Sequence, residues 1–253
     1  MLRAALERVE EYARSVAALG ADRVPVGPFD VFFSRTDAPS YAVPARPTGG
    51  QEALRTDLAA LAEAFRARAV PFRVELTLLL WPELPPALAA AGLIQAEDSP
   101  LFIVTPAAFR PRAASDLQVR WVAPGESPAF ALSVVRQGFE LRGPPPAPEE
   151  IAELRATLDG PLRLAIADLE GLPAGAGFSA PTGPTTELSA LATLPQRRRR
   201  GVAAGLASFL VAEHFARGGD LAWGVTEDPR AAALLYGLGF SDAGLRVGWT
   251  ESP

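Results

Sequence analysis

The strongest constraint on the fold of this 253-residue chain is an approximate internal repeat at an offset of 147 residues. Pro82-Glu83-Leu84 opens a helix that ends Ala90-Ala91-Gly92-Leu93, and Pro229-Arg230-Ala231 opens one that ends Leu238-Gly239-Phe240. The strand candidate from Phe72 to Leu76 falls near Leu221 to Val225. The Ala/Leu-periodic helix from Gln51 to Arg68 falls on the helix through Gly205, Leu206, Leu210 and Phe215. Three elements in one register predict a helix-strand-helix unit used twice. Before about residue 40 the register fails, so the repeat covers only the later part of each half.

The copies differ at the loop that opens the long helix. In the second half it reads Pro-Gln-Arg-Arg-Arg-Arg-Gly-Val-Ala-Ala-Gly-Leu from Pro195 to Leu206, with Arg198, Gly201 and Ala203 in an Arg-x-x-Gly-x-Ala spacing. Gly201 lets the backbone approach an oxyanion closely, and small Ala203 and Ala204 leave the first turn open. The free amides of that turn and the helix dipole then favour an anion such as a pyrophosphate. The four arginines supply charge that a chain of net charge -5 otherwise lacks. At the same offset the first half has Gln51, Leu54 and Thr56. Bulky Leu54 in place of the glycine, with Glu52 and Asp57 nearby, predicts that this copy holds no phosphate.

The second loop resembles motif A of the GNAT superfamily of N-acetyltransferases, Gln/Arg-x-x-Gly-x-Gly/Ala. The element order from a strand at 117–122, through helices near 127–139 and 148–158, strands near 162–168, 174–179 and 187–194, to the repeat's final helix is similar to a GNAT domain. This resemblance covers roughly residues 117–250 and, weakly, 40–105. It implies an α/β (α+β) fold of two GNAT-like lobes, each a mixed, mostly antiparallel sheet flanked by helices. Residues 1–105 form a degenerate lobe, 106–116 an extended linker, and 117–253 the acetyltransferase domain with a closing strand pair beyond Phe240. It also implies acetyl-CoA as co-substrate. Arg198, Arg199, Arg200, Gly201, Val202, Ala203 and Ala204 would surround its phosphates, the backbone of Leu191 and Thr193 would line its pantetheine arm, and Asp228 stands where the family has Asn.

The strand Glu187 to Leu194 alternates, which predicts Leu188, Ala190, Ala192 and Leu194 on one face and Glu187, Ser189, Leu191 and Thr193 on the other. An amine must lose its proton before it attacks a thioester, so a base is expected. Glu187, six residues before Thr193, has the spacing of the general base in histone-type family members, and a strand-edge ion pair is its alternative reading. Many members protonate the leaving thiolate with a tyrosine. Anchoring their pattern on Gly239-Phe240 puts Leu235 at that position and Tyr236 one residue late, a turn of about 100° around the helix. Either Tyr236 still reaches the sulfur or it packs and the thiolate leaves unassisted.

Composition removes other schemes. There is no cysteine, so thiol nucleophiles, disulfides and thiolate metal sites are excluded and acetyl transfer would be direct. The single histidine, His214, excludes most metal and Ser-His arrangements, and no metal is expected. There is no lysine and hence no Walker loop. The Gly-Ala-Gly within Gly171 to Phe178 leads into a strand and reads as a hairpin, not a dinucleotide fingerprint. The acidic balance argues against nucleic-acid and anionic-membrane partners. No stretch reaches the roughly 20 apolar residues of a membrane span, and a cytoplasmic monomer or homodimer is expected. The acceptor would be a small-molecule or peptide amine, walled by the segment from Arg136 to Pro148, with Glu75 or Glu83 of the first lobe as possible attractors. Two rival readings stand: a coenzyme A or acyl-CoA binding module without turnover, and an Arg-patch nucleic-acid binder.

Overall fold

A computed structural model describes residues 1–251 except Asp37, Pro124 and Arg142. The chain divides into two units, Met1–Leu101 together with Asp242–Pro253, and Phe102–Ser241. Arg142, within the expected substrate wall, lies outside the described residues.

The first unit runs α1 (Leu2–Gly20), β1 (Ala21–Val26), β2 (Phe29–Ser34), β3 (Tyr41–Pro44), α2 (Gln51–Ala67), β4 (Arg73–Thr77), α3 (Leu84–Ala90) and β5 (Leu93–Val104), whose last three residues belong to the second unit. Helical spacing puts Leu54, Leu58, Leu61 and Phe65 on one face of α2, where all four are buried against Phe29, Val31, Val74 and Leu76. The strands β1 to β3 pair antiparallel, while β3 and β4 run parallel with Ala42 opposite Val74.

The second unit runs β6 (Leu117–Trp121), α4 (Ala129–Gly138), α5 (Pro148–Leu158), β7 (Arg163–Leu169), β8 (Leu172–Ser179), β9 (Thr185–Thr193), α6 (Val202–Ala216), β10 (Leu221–Val225) and α7 (Pro229–Gly237). Its sheet order is β10-β9-β8-β7-β6, antiparallel except for the parallel pair β9 and β10. Val202, Leu206 and Leu210 of α6 cover one face, and Ala131 and Val134 of α4 cover the other. The Gly-Ala-Gly stretch lies in β8 of the β7–β8 hairpin. A Cβ on Gly175 would stand 2.8 Å from Val202 Cγ1, and one on Gly177 3.1 Å from Leu206 Cδ2, so these glycines let α6 settle close to the sheet.

Both repeats contain the long helix, the strand, the short helix and a left-handed glycine after it, Gly92 at φ 89° and Gly239 at φ 90°. Two expectations need correction. First, α2 begins at Gln51 and α6 at Val202, so a constant 147-residue offset misaligns the helix starts. Gly50 caps α2 where Gly201 caps α6, and Leu54, read as a blocked phosphate position, faces the core. Second, the chain end is not a strand pair of the second half. A single strand, β11 (Ser241–Glu251), pairs antiparallel with β4, and residues from Asp242 onward belong to the first unit. Val247 and Trp249 fill that unit's core beside Phe72, Val74 and Leu76.

The 106–116 segment is docked within the second unit. Arg110 N donates to Leu238 O at 2.8 Å and Arg112 N to Ser208 Oγ at 2.8 Å. A Cβ on Gly239 would meet Ala108 O at 2.0 Å, so the left-handed turn also admits this segment.

Candidate active site

The loop into α6 is shaped by two consecutive conformational choices. Arg199 and Gly201 both lie in the left-handed region, at φ 62° and 81°. Gly201 is the helix N-cap and has no side chain to cap with, so the first amides of Val202, Ala203 and Ala204 receive no side-chain cap from it. Val202 is buried in the core and fixes the turn, whereas Ala203 and Ala204 are half-buried. A Cβ on Gly201 would stand 3.2 Å from the Ala114 methyl.

The arginines divide into distinct roles that the sequence run conceals. Arg198 Nη2 donates to Gly138 O at 2.7 Å and Nη1 to Glu140 Oε1 at 3.0 Å, so it satisfies a carbonyl left over at the end of α4. Arg200 Nη2 donates to Glu170 Oε1 at 2.5 Å, and Arg197 lies 3.6 Å from the other oxygen of the same carboxylate. Arg199 is exposed and has no ion-pair partner among the described residues. Glu170 and Gly171 form the β7–β8 turn with φ of 55° and 73°, which aims the Glu170 side chain at the loop. The helix-end partners Gly138 and Glu140 carry no sequence signal, because both are distant along the chain from the residue they receive.

The hydrogen bond from Arg200 and then its charge, with Arg197 adding to it, hold the Glu170 carboxyl below its ordinary range. An NMR titration of Glu170 is therefore expected to show a lowered midpoint that returns toward that of a free Glu in Arg200→Ala and stays low in Arg199→Ala. Because the folded value is the lower one, any stabilisation is present at neutral pH and fades as pH falls through it.

On β9, pairing with β10 covers Thr185 to Glu187 opposite Leu221 to Trp223 and then stops, while β9 continues to Thr193. Residues 188–193 therefore keep one edge unpaired by β10, and Glu187 sits at the fork. The predicted strict alternation fails here. Ala190 is left-handed at φ 48°, and the pairing with β8 shifts register between Ala176 and Phe178. This bulge turns the strand over. Leu188 and Leu191 pack on the α6 side, whereas Ala190, Ala192 and Leu194 pack on the α4 side. Thr193 Oγ1 is buried and has no hydrogen-bond partner among the described residues. Glu187 is half-buried.

The remaining candidates lie at α7. Asp228 is its N-cap, with Oδ1 accepting from Arg230 N at 2.9 Å. Leu235, at the position of the family tyrosine, is buried in the core, while Tyr236 is 53% exposed with its ring edge-on to Phe102 at 5.3 Å. The phenol is thus carried on the outside of the helix. His214 is buried, with Nε2 3.1 Å from Pro184 O, and serves the packing at the end of α6.

A glycine-capped helix beside a strand pair that parts after three residues agrees with one sequence comparison: residues 133–240 match the Acetyltransferase (GNAT) family. This stretch is a GNAT domain. It contains Glu187, the 198–204 loop and Tyr236. Among solved structures, the whole chain is similar to a GCN5-related N-acetyltransferase from Kribbella flavida, at 21% identity over 98% of this chain and 96% of that one, with TM-score 0.79. It is similar to another from Sphaerobacter thermophilus at 16% identity, 88% and 75% coverage and TM-score 0.62. A tandem GNAT protein from the clavulanic acid biosynthesis pathway, solved without AcCoA, matches at 15% identity, 89% and 79% coverage and TM-score 0.63. At these identities the likeness is one of GNAT fold. No curated protein matches the sequence. Among the described residues, no group of His, Asp or Glu is placed to hold a metal ion, and no helix is long and apolar enough to cross a membrane.

Proposed function

We propose that the chain is a tandem GNAT protein whose second unit transfers an acetyl group directly from acetyl-CoA to an amine. The observation that carries this reading is the uncapped start of α6 at a left-handed Gly201, next to the β9 edge that β10 leaves unpaired. The residues suit the donor. The amides of Val202 to Ala204 offer hydrogen bonds to a pyrophosphate, and Arg199 is an exposed cation with no carboxylate partner among the described residues. Arg198 and Arg200 act by holding the loop against α4 and the β7–β8 turn. The β9 edge from Leu188 to Thr193 offers backbone groups to an amide-bearing arm, and the buried Thr193 Oγ1 has no hydrogen-bond partner among the described residues and could receive one from that arm. Acetyl-CoA, when bound, supplies an activated acyl group. Asp228 works as a helix cap.

Glu187 at the fork takes the proton from the attacking amine, directly or through water. Tyr236 is the donor of a proton to the departing sulfur. The acceptor is a small-molecule or peptide amine, and exposed Phe139 and Leu141 at the end of α4 give its approach an apolar lip. Glu187→Gln is expected to lower thiol release from acetyl-CoA, measured across an amine panel, by roughly 100-fold while coenzyme A affinity stays within about twofold. Equal turnover in wild type and variant would remove Glu187 from the chemistry.

One observation favours a second reading, a coenzyme A or acyl-CoA binding module without turnover: the family tyrosine position holds buried Leu235. A wild type that binds coenzyme A tightly yet releases no thiol with any amine would select it. The nucleic-acid reading loses its basis, because Arg197, Arg198 and Arg200 all face carboxylates.

A further inference from the structure

The first unit contains a cavity of about 470 Å³ that acetyl transfer in the second unit does not use. It lies between α1, the loop after β3 at Ala45, Pro47 and Thr48, and the loop after β4 at Leu80, Trp81 and Pro82. β3 and β4 run parallel, so the cavity sits outside the carboxyl ends of a parallel pair, the usual place for a ligand in such sheets.

Its chemistry is unlike that of the 198–204 loop. The run leading to Gly50, Pro47-Thr48-Gly49, has no basic side chain where the second copy has three arginines. Three carboxylates line the cavity, Glu7, Glu10 and Glu83, against two guanidiniums, Arg3 and Arg14. Each guanidinium already faces an acid, Arg3 with Glu7 at 3.1 Å and Arg14 with Glu10 at 3.9 Å, and Arg246, outside the lining, lies 3.8 Å from Glu10 Oε1 while also pairing with Glu75 at 3.3 Å. Among the described residues, Glu83 receives only the Thr48 hydroxyl, at 2.9 Å. Among the lining residues the excess charge is therefore negative, resting on Glu83, and it disfavours a pyrophosphate.

Two buried polar atoms of cavity-lining residues lack hydrogen-bond partners. Glu10 is 2% exposed. Its Oε1 accepts from Thr77 N at 2.9 Å and Thr77 Oγ1 at 2.5 Å, while Oε2 has no hydrogen bond among the described residues. The indole Nε1 of Trp81 is a donor in the same condition. Buried polar groups are ordinarily satisfied, and a carboxylate oxygen is a strong acceptor.

We propose that this cavity is a binding site for a small amine that also carries a hydrogen-bond acceptor. The ammonium is held by Glu83 and the buried Glu10 carboxylate, with the Trp81 ring offering a cation–π surface. The Trp81 N–H donates to the ligand's acceptor, a hydroxyl or carbonyl oxygen. The site does not depend on acetyl transfer by the second unit.

Four four-carbon probes separate these terms by titration calorimetry on the intact chain: 4-amino-1-butanol, butylamine, 1-butanol and butanoate. Saturable binding of 4-amino-1-butanol is expected, with butylamine weaker and the two probes without an amine not saturating. Glu83→Gln, at an exposed position, is expected to weaken both amines roughly tenfold through loss of a charged hydrogen bond. Trp81→Phe keeps an aromatic wall and is expected to erase the advantage of 4-amino-1-butanol over butylamine. The proposal is overturned if no probe saturates, if butanoate binds as tightly as the amines, or if amine binding is unchanged in both variants. The last result would place the amine elsewhere on the chain, as an acceptor site in the second unit would.

Discussion

Replacing Gly201 with valine is expected to abolish coenzyme A binding, measured by calorimetry, while the second unit stays folded. Three effects converge at this position. The backbone stands at φ 81°, where a β-branched residue is strained by about 1–3 kcal/mol. The new Cβ would press on the Ala114 methyl at 3.2 Å, and the bulk beyond it has to displace the docked 106–116 segment or the loop. Any relief rotates the amides of Val202 to Ala204 away from the place where they meet an anion. A domain of typical stability, about 5–15 kcal/mol, tolerates such strain. Losing two charge-assisted hydrogen bonds of about 1.5–3 kcal/mol each weakens binding by at least roughly 100-fold. Arg199→Ala keeps the amides in place and is expected to cost less, with a steeper loss at low salt than at high salt. Equal, near-wild-type affinity in Gly201→Val would show that the start of α6 is not the phosphate site.

The second large effect lies far from that loop. Ending the chain after Phe240 is expected to unfold the first unit, although its own residues 1–101 are all present. β11 pairs with β4 from Arg246 opposite Thr77 to Thr250 opposite Arg73, so its removal strips hydrogen bonds from that edge of β4. It also empties the core of Val247 and Trp249, which are 1% and 7% exposed. Two such side chains contribute about 1.5–3 kcal/mol each from burial alone, before the cavity they leave is counted. Arg246 ion-pairs with Glu75, at 3.3 Å, and with buried Glu10, at 3.8 Å; the truncation leaves both carboxylates short of a counter-charge. The sum rivals the whole stability of a small domain. Limited proteolysis with mass mapping is expected to cut within 1–101 in the truncated chain and to spare that region in the intact one. Protection of both would mean that β4 does not need its last partner.

Periodicity and glycine placement made much of this fold legible. The buried stripe of α2 and the strands β6 to β10 follow from apolar spacing, and Gly201 marks the start of α6 because few other residues suit a left-handed cap. What was not legible depends on contacts between distant residues. Nothing local in the closing strand says that its partner is β4, some 170 residues earlier. The bulge at Ala190 is equally silent, since alanine carries no preference for a positive φ, yet it reverses which side chains face α6. The arginine run reads as one basic patch until Glu140 and Glu170 arrive from other loops and leave Arg199 as the exposed cation. The first copy's helix starts at Gln51 as expected, but its start is aligned with the wrong residues of the second copy for a simpler reason: a fixed offset ignores length changes between the repeats, and Gly50 then escapes comparison with Gly201.

The central claim is that the start of α6 receives the phosphates of coenzyme A. Amide NMR of the isotope-labelled chain during a coenzyme A titration tests it most directly, because it reads the groups said to bind. Saturable shifts are expected at Gly201 to Ala204 and along Leu188 to Thr193, and none at Gly50 to Leu54 of the first unit. Shifts confined to the first unit, or no saturable change at Gly201 to Ala204, would contradict the account.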